Sequence, residues 1–243
     1  MAGLLDEAIE AHGGDRRWRK VSEVGAHVRS GGLLMAVKGR SRSFSDYGLN
    51  ASTGQQSAVF EPYPGSGTSG LYAGDSVRVL GTDGSLVSER DDPRAAFSGR
   101  TGMRRNLRWD ELDALYFAGY AMWNYLNLPY LLARPGFEAS EGEPIEVEGE
   151  RWRRLDATFP EGIHTHCREQ TFYFDERGLL RRHDYSPDVI SSRAHAAHFS
   201  DGHTEVDGLV FPTKRRVVPK APGGRPLPGP ALVWMELSSL QVG

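Results

Sequence analysis

The stretch IHTHCREQTFYFDERGLLRRHDY, residues 163–185, places one strong turn signal between two strand-like runs. Asp175, Glu176, Arg177 and Gly178 read as a four-residue hairpin loop in which Gly178 supplies the positive φ. This loop predicts antiparallel pairing with Phe174 opposite Leu179, Phe172 opposite Arg181, Gln170 opposite His183 and Arg168 opposite Tyr185. Strand side chains alternate between faces. One face therefore carries His164, His166, Arg168, Gln170, His183 and Tyr185 at its far end, and Phe172, Phe174, Leu179 and Arg181 near the turn. The other carries Thr165, Cys167, Glu169, Thr171, Tyr173, Leu180, Arg182 and Asp184. A three-residue loop with a bulge would shift this register.

Working outward, residues 163–217 hold six of the eight histidines and the only cysteine, and continue as AHAAHFSDGHTEVDGL and VFPTKRRVV. Before them, residues 21–90 form short alternating runs (VGAHVRS, LLMAVKG, RSFSDYGL, QSAVFEPY, SVRVLG, GSLVSER) separated by Gly, Ser and Asp turns, as in an antiparallel meander. Leu4, Leu5, Ala8 and Ile9 recur at helical spacing and stop at Gly13 and Gly14, giving an N-terminal helix within residues 1–14. A central helical insertion, residues 110–132, has Asp110 as N-cap and Glu111 and Asp113 in its first turn. Strands return over residues 143–243, with PKAPGGRPLPGP, residues 219–230, as an exposed loop. The expected fold is α+β, mainly β: a single domain with one large curved antiparallel sheet wrapped around a central helix.

Composition narrows the functions. A net charge of -3 gives no electrostatic reason to expect nucleic acid. A single cysteine rules out an intramolecular disulfide. MAGLLDEAIEAHGG lacks a basic stretch ahead of an apolar one, so a cytoplasmic protein is expected. ALYFAGYAMWNYLNLPYLLA, residues 114–133, is uncharged and nearly long enough to span a bilayer, but Gly119, Asn124, Asn127, Pro129 and four tyrosines favour a buried helix. GSGTSG, residues 65–70, follows two prolines and precedes a strand, so it reads as a loop, and no nucleotide cofactor is expected.

Several motifs carry a resemblance. Ala8, Ala11, His12, Gly13 and Gly14 followed by Trp18 resemble the start of many LolA/LolB-like proteins. The F-x-F-D-x-x-G-L-L hairpin of Phe172, Phe174, Asp175, Gly178, Leu179 and Leu180, and the G-L-x-x-P strand of Gly208, Leu209 and Pro212, resemble later parts of that fold. YFAGYAMWNYL is also similar to a stretch in a group of uncharacterised bacterial proteins. The resemblance implies an open half-barrel whose concave face holds acyl chains over a helical lid.

The leading expectation is binding of a hydrophobic or amphipathic small molecule. Tyr116, Tyr120, Trp123 and Asn124 on the central helix, with Arg168, Gln170 and His198, would contact it. An alternative is a cofactor-independent isomerase or cyclase, with His166, His183 and Tyr185 supplying acid–base chemistry. A metal-dependent enzyme on His164 and His166, two residues apart on one strand, is a second alternative, though no metal is favoured. Each motif also has a plainer reading. His198, flanked by small and aromatic residues, fits a core histidine better than a ligand, and Lys214, Arg215 and Arg216 read as an exposed strand edge. Cys167 next to His166 would point to the opposite face, which argues against a nucleophile pair.

Overall fold

The computed structural model describes residues 3–99, 107–221 and 223–243. Among the described residues, thirteen strands paired antiparallel make the chain mainly β, and it divides into two compact units. The first comprises Met1–Val21 and Asn127–Gly229, the second Ser22–Leu126 and Pro230–Gly243.

In the second unit, β1 (Glu23–Gly31), β2 (Asp46–Ser52), β3 (Ser57–Glu61), β4 (Thr68–Ala73), β5 (Ser76–Gly81) and β6 (Leu86–Asp91) pair in sequence as the meander predicted. The last strand, β13 (Val233–Val242), pairs with β1. Two expectations fail locally. Leu33–Val37 is a short helix, α3, and not a strand. Leu33 to Val37 is a continuous apolar run rich in Leu, Met and Ala, which lacks strand alternation and suits a helix. Thr68 to Gly70, read as loop, begin β4.

The long helix α4 (Glu111–Asn127) belongs almost wholly to this unit and ends before Pro129, as expected. Asp110 caps it: Asp113 N donates to Asp110 Oδ1 at 2.8 Å while Asp110 N donates to Asp113 Oδ2 at 3.1 Å, a reciprocal box that satisfies two orphan donors. Arg90 bridges both carboxylates. The helix is buried on all sides, and Trp123 Nε1 donates to Ser52 O at 2.8 Å. No helix among the described residues is long and apolar enough to cross a membrane.

In the first unit, α1 (Leu4–Ala11) and α2 (Asp15–Trp18) precede six strands: β7 (Glu138–Val147), β8 (Glu150–Thr158), β9 (Glu169–Phe174), β10 (Leu180–Tyr185), β11 (Ala196–Val206) and β12 (Leu209–Pro219). Each pairs with the next. Gly13, at φ 113°, lies where a Cβ would meet Gly208 O at 2.1 Å, so only glycine lets the turn after α1 approach the β11–β12 connection.

Gly119 tests the packing of α4. Glycine inside a helix costs about 1 kcal/mol relative to alanine. A Cβ there, however, would stand 2.4 Å from Tyr72 Cβ. Gly119→Ala is expected to destabilise by about 1–3 kcal/mol despite its better helix propensity. A denaturant midpoint at or above wild type would show that Tyr72 moves aside freely.

Candidate functional site

The hairpin loop forms as expected: Gly178 has φ 77°, and Asp175 Oδ1 accepts from Arg177 N and Leu179 N at 3.0 and 2.9 Å. The register beyond it differs from the count. Phe174 pairs with Leu180 instead of Leu179, one residue beyond the count, and an irregularity between Leu180 and Arg182 adds a second, so Phe172 faces His183 and Thr171 faces Asp184. A two-residue slide preserves parity, so Gln170, Phe172 and Phe174 still share a face with His183 and Tyr185.

Pairing carries that face across the sheet. Leu155 of β8, Phe172 of β9, His183 of β10, His198 of β11 and Val217 of β12 stand in one cross-strand row. Ser200 and Arg215 are paired two residues further along. His183 stacks on Phe172 at 4.3 Å between ring centroids, and lies 4.7 Å from Tyr185 and 6.0 Å from His198.

His166 joins from a different element. The expected strand over residues 164–168 does not form, because β9 starts at Glu169 and the preceding residues turn back through Phe159 N to Arg168 O at 2.9 Å. From this loop, held also by Asp188 N donating to His166 O at 2.9 Å, the His166 ring stacks on Tyr185 at 3.8 Å and 3°. His164 is half-buried and Arg168 exposed, outside the cluster. The two-residue strand spacing proposed for a metal pair is therefore not realised. Among the described residues no group of three His, Cys, Asp or Glu side chains is placed to hold a metal ion. Cys167 Sγ donates to Glu169 O at 3.0 Å and accepts from Ser186 N.

The structure thus gathers His166, Gln170, His183, Tyr185 and His198, with exposures from 0% for His166 to 6% for Tyr185. It adds three buried residues that the sequence reading did not assign to a site: Thr165, Ser200 and Arg215. Arg215 corrects the exposed-edge reading of Lys214 to Arg216: alternation sends its neighbours to solvent and Arg215 inward, where Nη1 donates to Ser200 Oγ at 3.3 Å.

Gln170 fixes the protonation pattern. Its Nε2 donates to Cys167 O and Thr165 Oγ1, both at 2.7 Å, and the Cys167 carbonyl can only accept. Oε1 therefore faces His183 Nε2 at 2.5 Å and accepts its proton, leaving the lone pair on Nδ1 in the neutral ring. Burial holds His183 well below its ordinary value, reinforced by His166 and Arg215. Burial does the same for His198, with the Arg215 charge next.

The opposite face of these strands is chemically different. Asp184 accepts from Arg182 Nε and Nη2 at 2.6 and 2.8 Å and from Lys220 Nζ at 2.8 Å. Asp156 accepts from Arg154 and, at 2.7 Å, from Thr171. Arg154, Asp156, Thr171, Asp184 and Lys220 line a half-open groove of about 540 Å³. The residues 219–230 loop lies over part of this face, where Gly224 O accepts from Arg182 at 2.7 Å.

Tyr116, Tyr120, Trp123 and Asn124 belong to the second unit. Burial pushes the Tyr116 phenol up to about 12, although the Arg94 charge opposes this. Asn124 Nδ2 donates to Tyr120 O at 2.7 Å.

No protein-family model and no curated protein matches the chain. Solved structures do match it. One is a DUF1329 family protein from Desulfovibrio piger, at 15% identity and TM-score 0.53, covering 98% of this chain and 91% of that one. A LolA superfamily protein from Nitrosomonas europaea matches at 11% identity and TM-score 0.51, over 100% and 94% of the two chains. A putative outer membrane lipoprotein-sorting protein domain from Vibrio parahaemolyticus matches at 11% and 0.54, over 98% and 91%. At these identities the likeness is one of fold, and the fold is LolA-like, as the sequence resemblance implied.

The buried imidazoles make stability depend on pH. His12, with Nδ1 against Ala8 O, is lowered by burial to about 4, and His203 is lowered by burial too. Folded values below the unfolded 6.5 mean that the unfolded chain binds more protons as pH drops. Stability is therefore intact above about pH 6.5 and falls towards pH 4, His12 alone accounting for something on the order of 3 kcal/mol. Melting temperature is expected to drop steeply between about pH 7 and pH 5, and His198→Leu to flatten the slope. A flat wild-type profile across that window would refute it.

Proposed function

We propose that this protein binds a hydrophobic or amphipathic small molecule, with its polar end on the imidazole face of the first unit. The observation that carries this reading is the convergence of His166, Gln170, His183, Tyr185, His198 and Arg215 on one buried face. Burying polar groups is costly unless they are paired, and a few convergent polar groups in an apolar wall are what orient a ligand. Burial keeps His183 and His198 neutral, which leaves Arg215 as the fixed charge of the set. Such a face suits an acyl or polycyclic body with an oxygenated or anionic head. The LolA-like fold supports the same reading, since one structural neighbour is described as an outer membrane lipoprotein-sorting protein domain. A cytoplasmic location, expected from the N-terminal residues, belongs to this proposal.

Thermal shift with a panel of fatty acids and polycyclic ketones tests it. At ligand about a hundredfold above its dissociation constant, stabilisation of about 2.7 kcal/mol is expected for a matching member. Arg215→Met is expected to weaken acids more than neutral analogues. No shift with any member would remove the proposal.

A second reading is a cofactor-independent isomerase or cyclase. One observation favours it: Gln170 fixes the His183 tautomer with Nδ1 as the base, beside the Tyr185 ring. If this holds, His183→Ala lowers turnover of an enolisable ligand about 10²- to 10⁴-fold while binding persists. Unchanged turnover would exclude His183 as the base.

A further inference from the structure

Besides Leu86 and Val87 on β6, the second unit exposes apolar side chains around α3. Leu33 and Val37, 45% and 68% exposed, are four residues apart on α3 and so lie on one side of it. The helix is tied to the start of β13, with Leu33 N and Leu34 N donating to Ala231 O and Leu232 O at 3.1 and 2.9 Å. Trp234, 37% exposed, packs against Gly31 at the base of α3. At the other end, Trp109 N donates to Lys38 O at 3.2 Å. Arg108 lies against Gly39, and Leu107, the residue before it, is 78% exposed.

Cations predominate around α3, and the exposed carboxylate of Glu236, two residues from Trp234 on β13, lies opposite Arg29. Residues 30–45 contain Lys38, Arg40 and Arg42 and no carboxylate. Arg42 and Arg108 are exposed. The flanking acids are engaged elsewhere, Asp46 with His27 at 2.9 Å and Asp110 with Arg90 at 2.8 Å. Single exposed leucines need no explanation, but aliphatic and indole side chains exposed on elements tied to one short helix, with exposed arginines on the same segments, do.

We propose that this patch docks the protein reversibly on an anionic lipid surface. Leu33, Val37, Leu107 and Trp234 enter the boundary between headgroups and acyl chains, where indole rings are favoured. Arg42 and Arg108 meet the lipid phosphates. The apolar area is small, so the attachment is weak and needs both contributions. This inference rests on the second unit and does not depend on the ligand reading.

Flotation of the full chain with phosphatidylcholine vesicles, with and without phosphatidylglycerol, tests it. Binding is expected only with phosphatidylglycerol, and to weaken with added salt. Leu33→Asp with Val37→Asp is expected to lower the bound fraction at least about tenfold, and Arg42→Glu with Arg108→Glu to remove the preference for anionic lipid. All four positions are exposed, so unchanged melting temperatures are expected. Leu86→Asp, at an exposed site on β6, should bind like wild type. Absence of wild-type binding, or equal binding by all variants, overturns the proposal. So does self-association lost in the Leu33 and Val37 variant without vesicle binding, which would assign the patch to a second copy of the chain.

Discussion

The first unit depends on one cross-strand row, Leu155, Phe172, His183, His198 and Val217, which sets two imidazoles between apolar neighbours. Side chains along a strand repeat every two residues, so the row is an all-or-none specification. A slip of one residue on β10 would turn Arg182 and Asp184 into this face and expel His183. Two turns prevent it. Asp175 to Gly178 set β9 against β10, and Asp207 and Gly208, at φ 50° and 78°, set β11 against β12 as a two-residue hairpin.

Those turns also explain what could be read in the sequence. The DERG loop gave the correct face for β9 and for Arg182 to Tyr185, because parity survives a shift of two even when register does not, but it misplaced Leu180, which pairs with Phe174 ahead of the bulge. The bulge at Leu180 to Arg182 has no glycine or proline to announce it. His164 to Arg168 read as strand because alternation continues through IHTHCRE, yet the Phe159 to Arg168 backbone bond closes a loop there. Arg215 was legible in principle. Counting back from Asp207 and Gly208 puts Val206 opposite Leu209, and hence Ser200 opposite Arg215 and His198 opposite Val217. Its basic neighbours hid it, since a run of three cations suggests solvent on both sides. Leu33 to Val37 misled for the opposite reason: five apolar residues in a row carry no periodicity that separates strand from helix.

The two faces of the first unit handle polarity by different physics. On the groove face, Arg182, Asp184 and Lys220, and separately Arg154 and Asp156, meet as opposite charges with short contacts. Such pairs roughly offset their own desolvation. On the imidazole face, burial keeps His183 and His198 neutral, and hydrogen bonds such as Gln170 to His183 replace ion pairs. A face whose polar groups are mostly neutral can accept an apolar body without stranding charges, whereas the groove face cannot.

That contrast also separates carrier from catalyst. A catalytic imidazole must gain and lose a proton within each turnover, so its two states must be close in energy near the working pH. His183 is stacked on Phe172, tied through Nε2 to Gln170 and placed near Arg215 and His166, and each of these opposes a second proton or restricts the ring. A ring held in one tautomer is well suited to offer a fixed donor and a fixed acceptor, which is what orienting a bound head group requires. The same restraints make it a weak base with little room to reorient. The physical cost of His183 is thus better matched to recognition than to proton transfer, and the strength of that match rests on the Gln170 amide, whose orientation the Cys167 carbonyl decides.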